Sequence, residues 1–400
     1  MKKKRIMMIC FLLLALIILV FSMVYIYFTN TEDLILKKDI TIHFREKVYN
    51  SDLIEKINGK LLNDPLIDTS VVGWIKVQLS YYNHYGFIEN KMVKIEIKDV
   101  TPPTVVVNNI VYLEKGSTTN LEETIFCADD YDDKVSCKII GEYDLNKVGK
   151  YNLRIEATDH SNNVTSKKFV LQVKEKEEGT SIPTPSTKTD YKTIYQKYKK
   201  ENTLVGIDVS KWQGDINFSK IKEQGVEFVM IKIGGQSKKG GKIEMDPNFS
   251  NNIEQAIANH LKVGVYFYSH ATTQKEARIQ AQWIVKHLKD YDLTLPVAFD
   301  WENWNRYTTY HVSFNTLNRI ASTFFDVLES KNYQTLLYSS KYYLENVWYE
   351  EEYHNWIAHY TEDDKDKNKY TMWQLCSDGV IEGIESKTDF DVLYLNEQSS

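Results

Sequence analysis

Positive charge is outnumbered by negative charge in this sequence, and histidine and cysteine are few. The 49 lysines and arginines are outnumbered by 55 aspartates and glutamates, which leaves a formal net charge of -6. A chain without a basic field is not expected to hold nucleic acid, so that class of partner is excluded. The nine histidines are scattered, and no spacing of Cys or His residues resembles a metal site.

Cysteine is also scarce, with four residues in the whole chain. Cys10 lies in an apolar run and Cys376 is isolated. Cys127 and Cys137 bracket a short acidic loop and could form a disulfide outside the cell. The sequence is equally consistent with two free thiols at these positions, so both states remain open.

One long hydrophobic run is present, and it lies near the N-terminus. Residues 6–28 are nearly all apolar and follow a basic cluster within residues 1–5. A helix of this length crosses a bilayer, and the basic cluster predicts that the N-terminus stays in the cytoplasm. A cleaved signal peptide is the alternative, but its apolar region would be shorter and followed by small residues. We therefore expect a single-pass plasma-membrane anchor, with the rest of the chain on the cell-wall side.

Residues 33–175 contain short strand-like runs and no long helical pattern, and they include a repeat. The sequence DTSVVG at 68–73 matches DLNKVG at 144–149, an offset of 76 residues. Two similar β-sandwich domains are therefore predicted, at 33–100 and at 101–175.

The second copy resembles the bacterial immunoglobulin-like repeats of surface proteins, which are usually spacers or adhesive units. Such domains are where we expect partners from an envelope-spanning machinery. Its acidic loop contains Asp129, Asp130, Asp132 and Asp133, and clustered carboxylates of this kind can bind calcium. A plain solvated loop is the interpretation that we favour.

Residues 176–200 lose the strand pattern and are rich in Lys, Glu, Thr, Ser and Pro. This composition predicts a linker that its prolines keep extended. A short helix from Tyr191 to Lys200 is expected to lead into the next domain.

In residues 201–400, apolar runs alternate with helix-like segments, which is typical of a parallel βα architecture. Eight strands are predicted, near Leu204 to Asp208, Phe228 to Ile233, Val263 to Tyr268, Pro296 to Asp300, Thr335 to Tyr338, Asn355 to Ala358, Thr371 to Gln374 and Thr388 to Val392. Together they predict a compact (β/α) barrel of the TIM type, irregular after Trp356 because the connections there are too short for full helices.

Two acids at the end of the fourth predicted strand suggest a catalytic site. Asp300 and Glu302 are two residues apart, so on a strand they point the same way, at the end where barrel enzymes place their chemistry. Neighbouring Trp301 and Trp304 could desolvate one acid and raise its pKa. A protonated carboxyl beside an ionised one is typical of a glycosidase active site. An isolated Asp-x-Glu is more often a helix cap.

Further acids and aromatic residues are expected at the same rim. Asp208 ends the first strand, and Asp389 or Asp391 lies in the last, which is its neighbour in a closed barrel. The aromatic residues that end other strands suit a cleft for sugar rings, although each one alone is more often a core residue: Tyr266, Tyr268, Tyr338, Tyr360 and Trp373.

Several motifs in order along this region resemble the glycoside hydrolase family 25 lysozymes, the N-acetylmuramidases of the Chalaropsis type. The matching stretches are Gly206-Ile-Asp208-Val-Ser210-Lys-Trp212-Gln213-Gly214, Phe228-Val-Met-Ile-Lys232, Asp246-Pro247-Asn-Phe249, Gly264-Val-Tyr266-Phe-Tyr268, Pro296-Val-Ala-Phe-Asp300-Trp-Glu302, Trp356-Ile-Ala-His-Tyr360, Trp373-Gln374 and Asp391. The resemblance spans the whole predicted barrel, which makes it far more specific than the paired acids alone.

The resemblance implies hydrolysis of the β-1,4 bond between N-acetylmuramic acid and N-acetylglucosamine in peptidoglycan, with retention through the substrate's own acetamido group. It implies that Glu302 is the general acid, that Asp300 orients the acetamido group, and that Asp208 and Asp391 line the cleft. The substrate-binding residues that it implies are Tyr266, Tyr268, Trp301, Tyr338, Tyr360, Trp373 and Gln374. It implies no metal and no cofactor.

Two points remain open at this stage. Asp389 and Asp391 lie on one face of the last strand, and Asp391 is favoured for the cleft because Tyr394 keeps the family spacing. A surface protein that binds glycan on the same barrel without cleaving it is the alternative function, and a glycosidase for another polymer such as chitin is a third. The presence of all four acids favours an enzyme over the binding protein.

Overall fold

The computed structural model describes residues 13–24, 33–38, 40–176, 188–361 and 369–395. The chain divides into two compact units, Met1–Val100 and Thr101–Ser400. The second unit contains both the second β domain and the barrel, so contacts between these two can be described.

A first helix, α1, covers residues 13–24. The rest of the predicted anchor at 6–28 lies outside the described residues. Within the described ranges, no helix combines the length and the apolar character that a membrane crossing requires.

The first β domain is built from two sheets. Its strands are β1 (Leu34–Leu36), β2 (Ile42–His43), β3 (Ile54–Ile57), β4 (Lys60–Leu61), β5 (Gly73–Tyr82) and β6 (Ile88–Lys98). Four strands pair in the order β2-β6-β5-β4, and β1 pairs with β3. Alternate residues of β5 and β6, such as Leu79 and Ile97, point inward and are buried.

The second β domain repeats this arrangement. Its strands are β7 (Thr104–Val106), β8 (Ile110–Glu114), β9 (Phe126–Ala128), β10 (Ser136–Ile140), β11 (Gly149–Thr158) and β12 (Val164–Lys174). Four strands pair in the order β10-β11-β12-β8, and β7 pairs with β9. The sequence offset of 76 residues is kept, because β11 and β12 occupy the positions of β5 and β6 shifted by that number. The immunoglobulin-like classification of the two domains stays a prediction. A disulfide joins Cys127 to Cys137, the state that the sequence left open.

The third region is a closed barrel. Its strands are β13 (Thr189–Asp190), β14 (Thr203–Val209), β15 (Phe228–Gln236), β16 (Ile243–Met245), β17 (Lys262–Tyr268), β18 (Val297–Asp300), β19 (Thr335–Ser340), β20 (Asn355–Ala358), β21 (Met372–Val380) and β22 (Thr388–Tyr394). Its helices are α2 (Tyr191–Tyr198), α3 (Phe218–Glu223), α4 (Phe249–Ala258), α5 (Gln274–Leu288), α6 (Tyr307–Tyr310), α7 (Phe314–Glu329) and α8 (Lys341–Asn346).

All eight predicted barrel strands are present. Seven of them run parallel in the order β14-β15-β17-β18-β19-β20-β21, and β22 pairs antiparallel with both β21 and β14. Short strand β13 adds to the outer side of β21, and β16 forms a hairpin with β15. Among the described residues, no α-helix follows α8, which agrees with the irregular barrel expected after Trp356.

The barrel interior is filled by alternate residues of the strands. Phe228 and Met230 of β15 lie inside, with exposures of 0% each. A Cβ atom on Gly206 of the neighbouring strand would lie 2.5 Å from the ring of Phe228, and one on Gly264 would lie 2.5 Å from the sulfur of Met230. The two glycines therefore provide the space that the large side chains occupy.

The predicted linker at 176–200 needs correction at its C-terminal end. Residues 177–187 lie outside the described residues, but β13 and α2 belong to the barrel. Tyr191 is 1% exposed, and its hydroxyl donates a hydrogen bond of 3.0 Å to the carbonyl oxygen of Val205. The polar composition of this stretch hid Tyr191 and Ile194, which lie three residues apart and so share the buried face of α2.

The second β domain contacts the barrel through strand β9. The ring of Phe126 lies 5.1 Å from that of Tyr307, 5.8 Å from Tyr343 and 6.2 Å from Phe314, measured between centroids. Next to it, the backbone N–H of Cys127 donates to the Thr308 hydroxyl at 2.9 Å. The contact lies on the loop that follows β18, the strand that ends in Asp300.

We expect Phe126→Ala to destabilise the unit formed by residues 101–400. The ring is 6% exposed and packs in the same cluster as the barrel core, so its removal leaves a cavity that costs about 3 kcal/mol or more. Urea unfolding followed by tryptophan fluorescence measures this loss.

The matched control is Phe87→Ala, because Phe87 is 70% exposed in the first β domain. It should leave the unfolding midpoint within experimental error of the wild type. An unchanged midpoint for Phe126→Ala would show that the contact between the second β domain and the barrel is not a stabilising one.

Candidate active site

A cleft opens at the carboxyl ends of the parallel barrel strands. It encloses about 260 Å³ and is lined by Asp208, Lys232, Tyr266, Tyr268, Asp300, Glu302, Tyr338, Trp356, Tyr360, Gln374 and Asp389. This volume is below the range of roughly 300–1,000 Å³ that encloses a whole drug-sized ligand, so a polymer would extend beyond it.

Strand pairing explains why acids that are distant in sequence meet here. Asp208 of β14 lies directly opposite Asp389 of the antiparallel strand β22. Asp300 of β18 lies between Tyr268 of β17 and Tyr338 of β19. Side chains alternate along each strand, and all of these residues take inward-pointing positions. Their side chains therefore enter the barrel at the same level.

A chain of hydrogen bonds holds Asp208 in place. The hydroxyls of Tyr338 and Tyr360 donate to Oε1 of Gln374, at 2.9 Å and 3.0 Å. The amide of Gln374 in turn donates to Oδ2 of Asp208 at 2.8 Å. Both tyrosines and Gln374 were predicted from the sequence to contact substrate, and they line the cleft together.

Asp391 requires a correction, because it is not the acid of β22 that reaches the cleft. It is fully buried beneath Asp208, and its Oδ1 accepts a hydrogen bond of 2.9 Å from the indole N–H of Trp356. Asp389, two residues nearer the rim of this antiparallel strand, lines the cleft instead. Both acids point inward, and depth along the strand decides between them.

Asp208 and Asp391 are hydrogen-bonded to each other, which requires a proton on one of them. Burial, followed by the charge of Asp391, raises the pKa of Asp208 well above its ordinary value. Burial and the charge of Asp389 likewise raise the pKa of Asp391. Two buried carboxyls this close are not both ionised, so the pair shares one proton.

Asp300 and Glu302 form the second acidic pair. Asp300 is 4% exposed, and its Oδ1 has no hydrogen-bond partner among the described residues. Burial and then the charge of Glu302 raise the pKa of Asp300. Glu302 opens to the cleft, yet the protein atoms around it displace its hydration and raise its pKa as well.

Lys232 is the basic residue among those that line the cleft. Its ammonium group lies 4.7 Å from the centroid of the Tyr268 ring. Its positive charge lowers the pKa values of both Asp300 and Glu302, against the effect of burial. Lys232 belongs to one of the family motifs in the sequence, but no role was predicted for it. A lysine within an otherwise apolar, buried strand is the signal that was available.

Asp389 carries the clearest shift among the acids that line the cleft. Burial raises its pKa to about 8, and the charges of Asp208 and Glu302 add to the effect. Near neutral pH this carboxyl is therefore largely protonated and can donate a hydrogen bond.

The two tryptophans predicted to bind substrate lie outside the cleft. Trp301 is 0% exposed and donates its indole N–H to the carbonyl oxygen of Ala271 at 3.0 Å. Trp373 is also 0% exposed and donates to the carbonyl oxygen of His359 at 2.8 Å. Trp301 follows the inward residue Asp300, and Trp373 precedes the inward residue Gln374. Because side chains alternate along a strand, both indoles point outward into the helix layer.

Aromatic walls are nevertheless present, and tyrosine provides most of them. The predicted residues Tyr266, Tyr268, Tyr338 and Tyr360 all line the cleft, together with Trp356, which the sequence argument did not assign. Trp356 stands at an inward position of β20 and packs against Tyr338, with 4.7 Å between ring centroids. The aromatic side chains that line the cleft beside Glu302 are therefore tyrosines and Trp356, and not the flanking tryptophans that we expected.

The known proteins that this chain resembles match it in the barrel region. Residues 207–384 match the family model for glycosyl hydrolases family 25. An uncharacterised protein of Escherichia coli strain K12, YegX, is 28% identical over 200 residues, which span 48% of this chain and 69% of that protein. An autolytic lysozyme of Clostridium acetobutylicum is 25% identical over 191 residues, which span 47% of this chain and 55% of that protein.

The chain also has some similarity to solved structures. A family 25 glycosyl hydrolase from Bacillus anthracis matches with a TM-score of 0.41 and 23% identity, over 50% of this chain and 91% of that chain. The family match includes Asp208, Asp300 and Glu302 of the cleft. Residues 207–384 therefore form a family 25 glycosyl hydrolase domain, and the protein is a glycoside hydrolase.

Proposed function

We propose that the protein is a muramidase that hydrolyses the β-1,4 bond between N-acetylmuramic acid and N-acetylglucosamine in peptidoglycan. The observation that carries the proposal is the meeting of Asp208, Asp300, Glu302 and Asp389 in one tyrosine-walled cleft. The family match and the similarity to an autolytic lysozyme support the choice of substrate.

Glu302 is the proposed general acid. Its raised pKa keeps a proton available, and its position opens to the cleft where a glycosidic oxygen can lie. In the first step, this proton passes to the oxygen that leaves with N-acetylglucosamine, as the bond from that oxygen to C1 of N-acetylmuramic acid breaks.

Asp300 is the proposed partner of the acetamido group on the same N-acetylmuramic acid. The carbonyl oxygen of that group attacks C1 and closes an oxazolinium ring, which carries a positive charge. Because Oδ1 of Asp300 has no partner among the described residues, it is available to accept the N–H of the acetamido group. This route needs no protein nucleophile, and is one of the exceptions to the two-carboxylate scheme.

Water completes the reaction in a second step. It attacks C1, gives its proton to the Glu302 carboxylate, and the ring opens to restore the acetamido group. Two displacements at C1 leave the β configuration unchanged. The hydrogen-bonded set of Gln374, Asp208 and Asp391 holds the cleft wall in position while charge develops at C1.

We also propose that the enzyme is anchored to the plasma membrane. Residues 6–28 are almost entirely apolar and follow basic residues, a pattern that favours a single crossing with the N-terminus in the cytoplasm. The cleavage domain would then act on the wall from the outer face. The two β domains would set its reach and are the proposed contact surface for envelope machinery.

Mass spectrometry of the muropeptides released from purified wall tests the substrate and the bond. We expect products that end in reducing N-acetylmuramic acid, and Glu302→Gln should lower the rate roughly 10²–10⁴-fold because the proton donor is lost. Glu254→Gln, an exposed residue of α4, is the matched control and should keep the wild-type rate.

Fragments that end in reducing N-acetylglucosamine would contradict the proposed bond. Binding of wall glycan without any turnover would instead identify a non-catalytic glycan-binding protein. Cleavage of chitin in preference to wall would assign the cleft to another polymer.

The pH dependence should respond to Lys232. Glu302 must be protonated to act, so activity is present below its pKa and is lost as the pH rises through it. Since the charge of Lys232 lowers this pKa, Lys232→Met should raise it and move the alkaline limb of the kcat/KM profile to higher pH.

Lys262→Met removes an exposed lysine at the opposite end of the barrel and serves as the control, with no expected shift of the limb. An alkaline limb that stays in place or moves to lower pH in Lys232→Met would show that Glu302 is not the group that controls it.

The stereochemistry of the first product tests the role of the acetamido group. Proton NMR during the first minutes of hydrolysis should show the β anomer of N-acetylmuramic acid before mutarotation. Initial formation of the α anomer would indicate a single displacement by water and would rule out the proposed ring intermediate.

A further inference from the structure

The second β domain contains a group of four acids far from the cleft in sequence and in role. We define this acidic cluster as Asp129, Asp130, Asp132 and Asp159. Carboxylate oxygens of Asp129 and Asp130 lie within 4.8 Å of each other, as do those of Asp132 and Asp159. The backbone N–H of Asp132 donates to Oδ1 of Asp129 at 2.8 Å, so the two pairs are adjacent.

Asp129 is the residue that distinguishes the cluster from a solvated acidic loop. It is 1% exposed, and its Oδ1 already accepts backbone N–H groups of Tyr131 at 2.9 Å and Asp132 at 2.8 Å. Its Oδ2 is buried and has no hydrogen-bond partner among the described residues. A buried carboxylate oxygen without a partner is costly, and the neighbouring acids add repulsion.

The chemistry of the cluster limits what can compensate this charge. Burial raises the pKa of Asp129 to about 6, so near neutral pH the group is still largely ionised. Asp132 accepts the backbone N–H of His160 at 2.8 Å, and Asp159 accepts the backbone N–H of Asn163 at 2.8 Å. The side-chain amide of Asn163 also donates to Oδ2 of Asp159 at 2.8 Å, and Nδ1 of His160 lies 3.2 Å from Oδ1 of Asp132. Each of these carboxylate oxygens has one such partner and keeps a lone pair for a cation.

We propose that the acidic cluster binds one calcium ion. All four donors are carboxylates, which hard cations prefer over the softer ligands that zinc or copper select. Calcium accepts six to eight oxygens in irregular geometry, whereas magnesium requires a near-ideal octahedron. A site assembled from one loop and a neighbouring turn suits the more tolerant ion.

The structure also corrects which acids belong to the site. The sequence grouped Asp133 with the others, but Asp133 faces the barrel, where its Oδ1 accepts the backbone N–H of Ser313 at 2.8 Å. Asp159, which is 26 or more positions away from the loop acids in the sequence, takes its place because the turn after β11 lies beside the loop.

The site is tied to the catalytic domain. The backbone N–H groups of Phe314 and Asn315, at the start of α7, donate to the carbonyl oxygens of Asp129 and Asp130, both at 2.9 Å. A cation that fixes this loop therefore fixes the contact between the second β domain and the barrel. Calcium binding should be visible as added stability of the whole unit.

Calorimetric titration of the chelator-treated full-length protein in detergent with CaCl2 tests the proposal. We expect one ion per chain, with a Kd of about 0.1–1 mM, the range of extracellular calcium modules. In 10 mM CaCl2 the midpoint of thermal unfolding should rise by about 3 °C or more relative to EDTA. The same concentration of MgCl2 should give a smaller rise.

Two variants and one control make the test specific. Asp129→Asn and Asp159→Asn should each weaken calcium binding at least tenfold and remove most of the rise in midpoint. Asp144→Asn, an exposed acid of the same domain outside the cluster, should behave as the wild type. In EDTA, Asp129→Asn should unfold no earlier than the wild type, because the substitution removes repulsion, whereas a merely structural role would make it unfold earlier.

Three results would overturn the proposal. The first is a wild-type protein that shows neither binding heat nor a change in midpoint with CaCl2. The second is unchanged calcium affinity in Asp129→Asn or Asp159→Asn. The third is an equal response to magnesium, which would show that the site does not select calcium.

Discussion

The antiparallel pairing of β22 with both β21 and β14 closes the barrel, and the arrangement of the cleft depends on it. Seven strands run in one direction and would leave an open sheet, with Asp208 at its edge. The eighth strand runs in the opposite direction and covers that edge. It brings Asp389 opposite Asp208 and places Asp391 beneath it. The acids of the first, fourth and last strands then share one volume of low hydration.

Low hydration is the physical basis of the proposed chemistry. Burial is the largest cause of the raised pKa values of Asp208, Asp300, Glu302, Asp389 and Asp391. So many acids cannot all be ionised in one place, and the shared proton of Asp208 and Asp391 is one result. Lys232 acts in the opposite direction on the second pair. The cleft therefore contains several carboxyls with raised pKa values, and the positive charge of Lys232 lowers the pKa values of two of them, Asp300 and Glu302.

Much of this could be predicted from the sequence, because strand periodicity and strand ends are local properties. The eight strands and the meeting of Asp208 with Glu302 followed from apolar runs and their polar ends. The wrong predictions concerned the direction in which a side chain points and the depth at which a residue lies along its strand. Trp301 stands between two inward acids, so the same alternation that placed the acids correctly also turns its ring away from them. Asp389 and Asp391 have the same direction, and only the stagger of an antiparallel strand separates them.

Contacts between distant segments were beyond the reach of sequence patterns. Nothing local indicates that Tyr191 packs against Phe390 of the barrel or that Asp159 joins the acids of a loop near residue 130. These partners are brought together by the packing of complete domains. The polar stretch before residue 201 looked like a linker because its two buried side chains are isolated among charged neighbours.

The aromatic contact of Phe126 has a consequence for how this enzyme can be divided. An excised catalytic module that began at residue 201 would lack α2 and would expose the rings of Tyr307, Phe314 and Tyr343 to water. Tyr307 and Phe314 stand on the segment that follows Glu302, so excision would loosen the chain next to the cleft. The smallest fragment that keeps these aromatic contacts therefore begins near residue 101, and the second β domain is part of the scaffold of the enzyme.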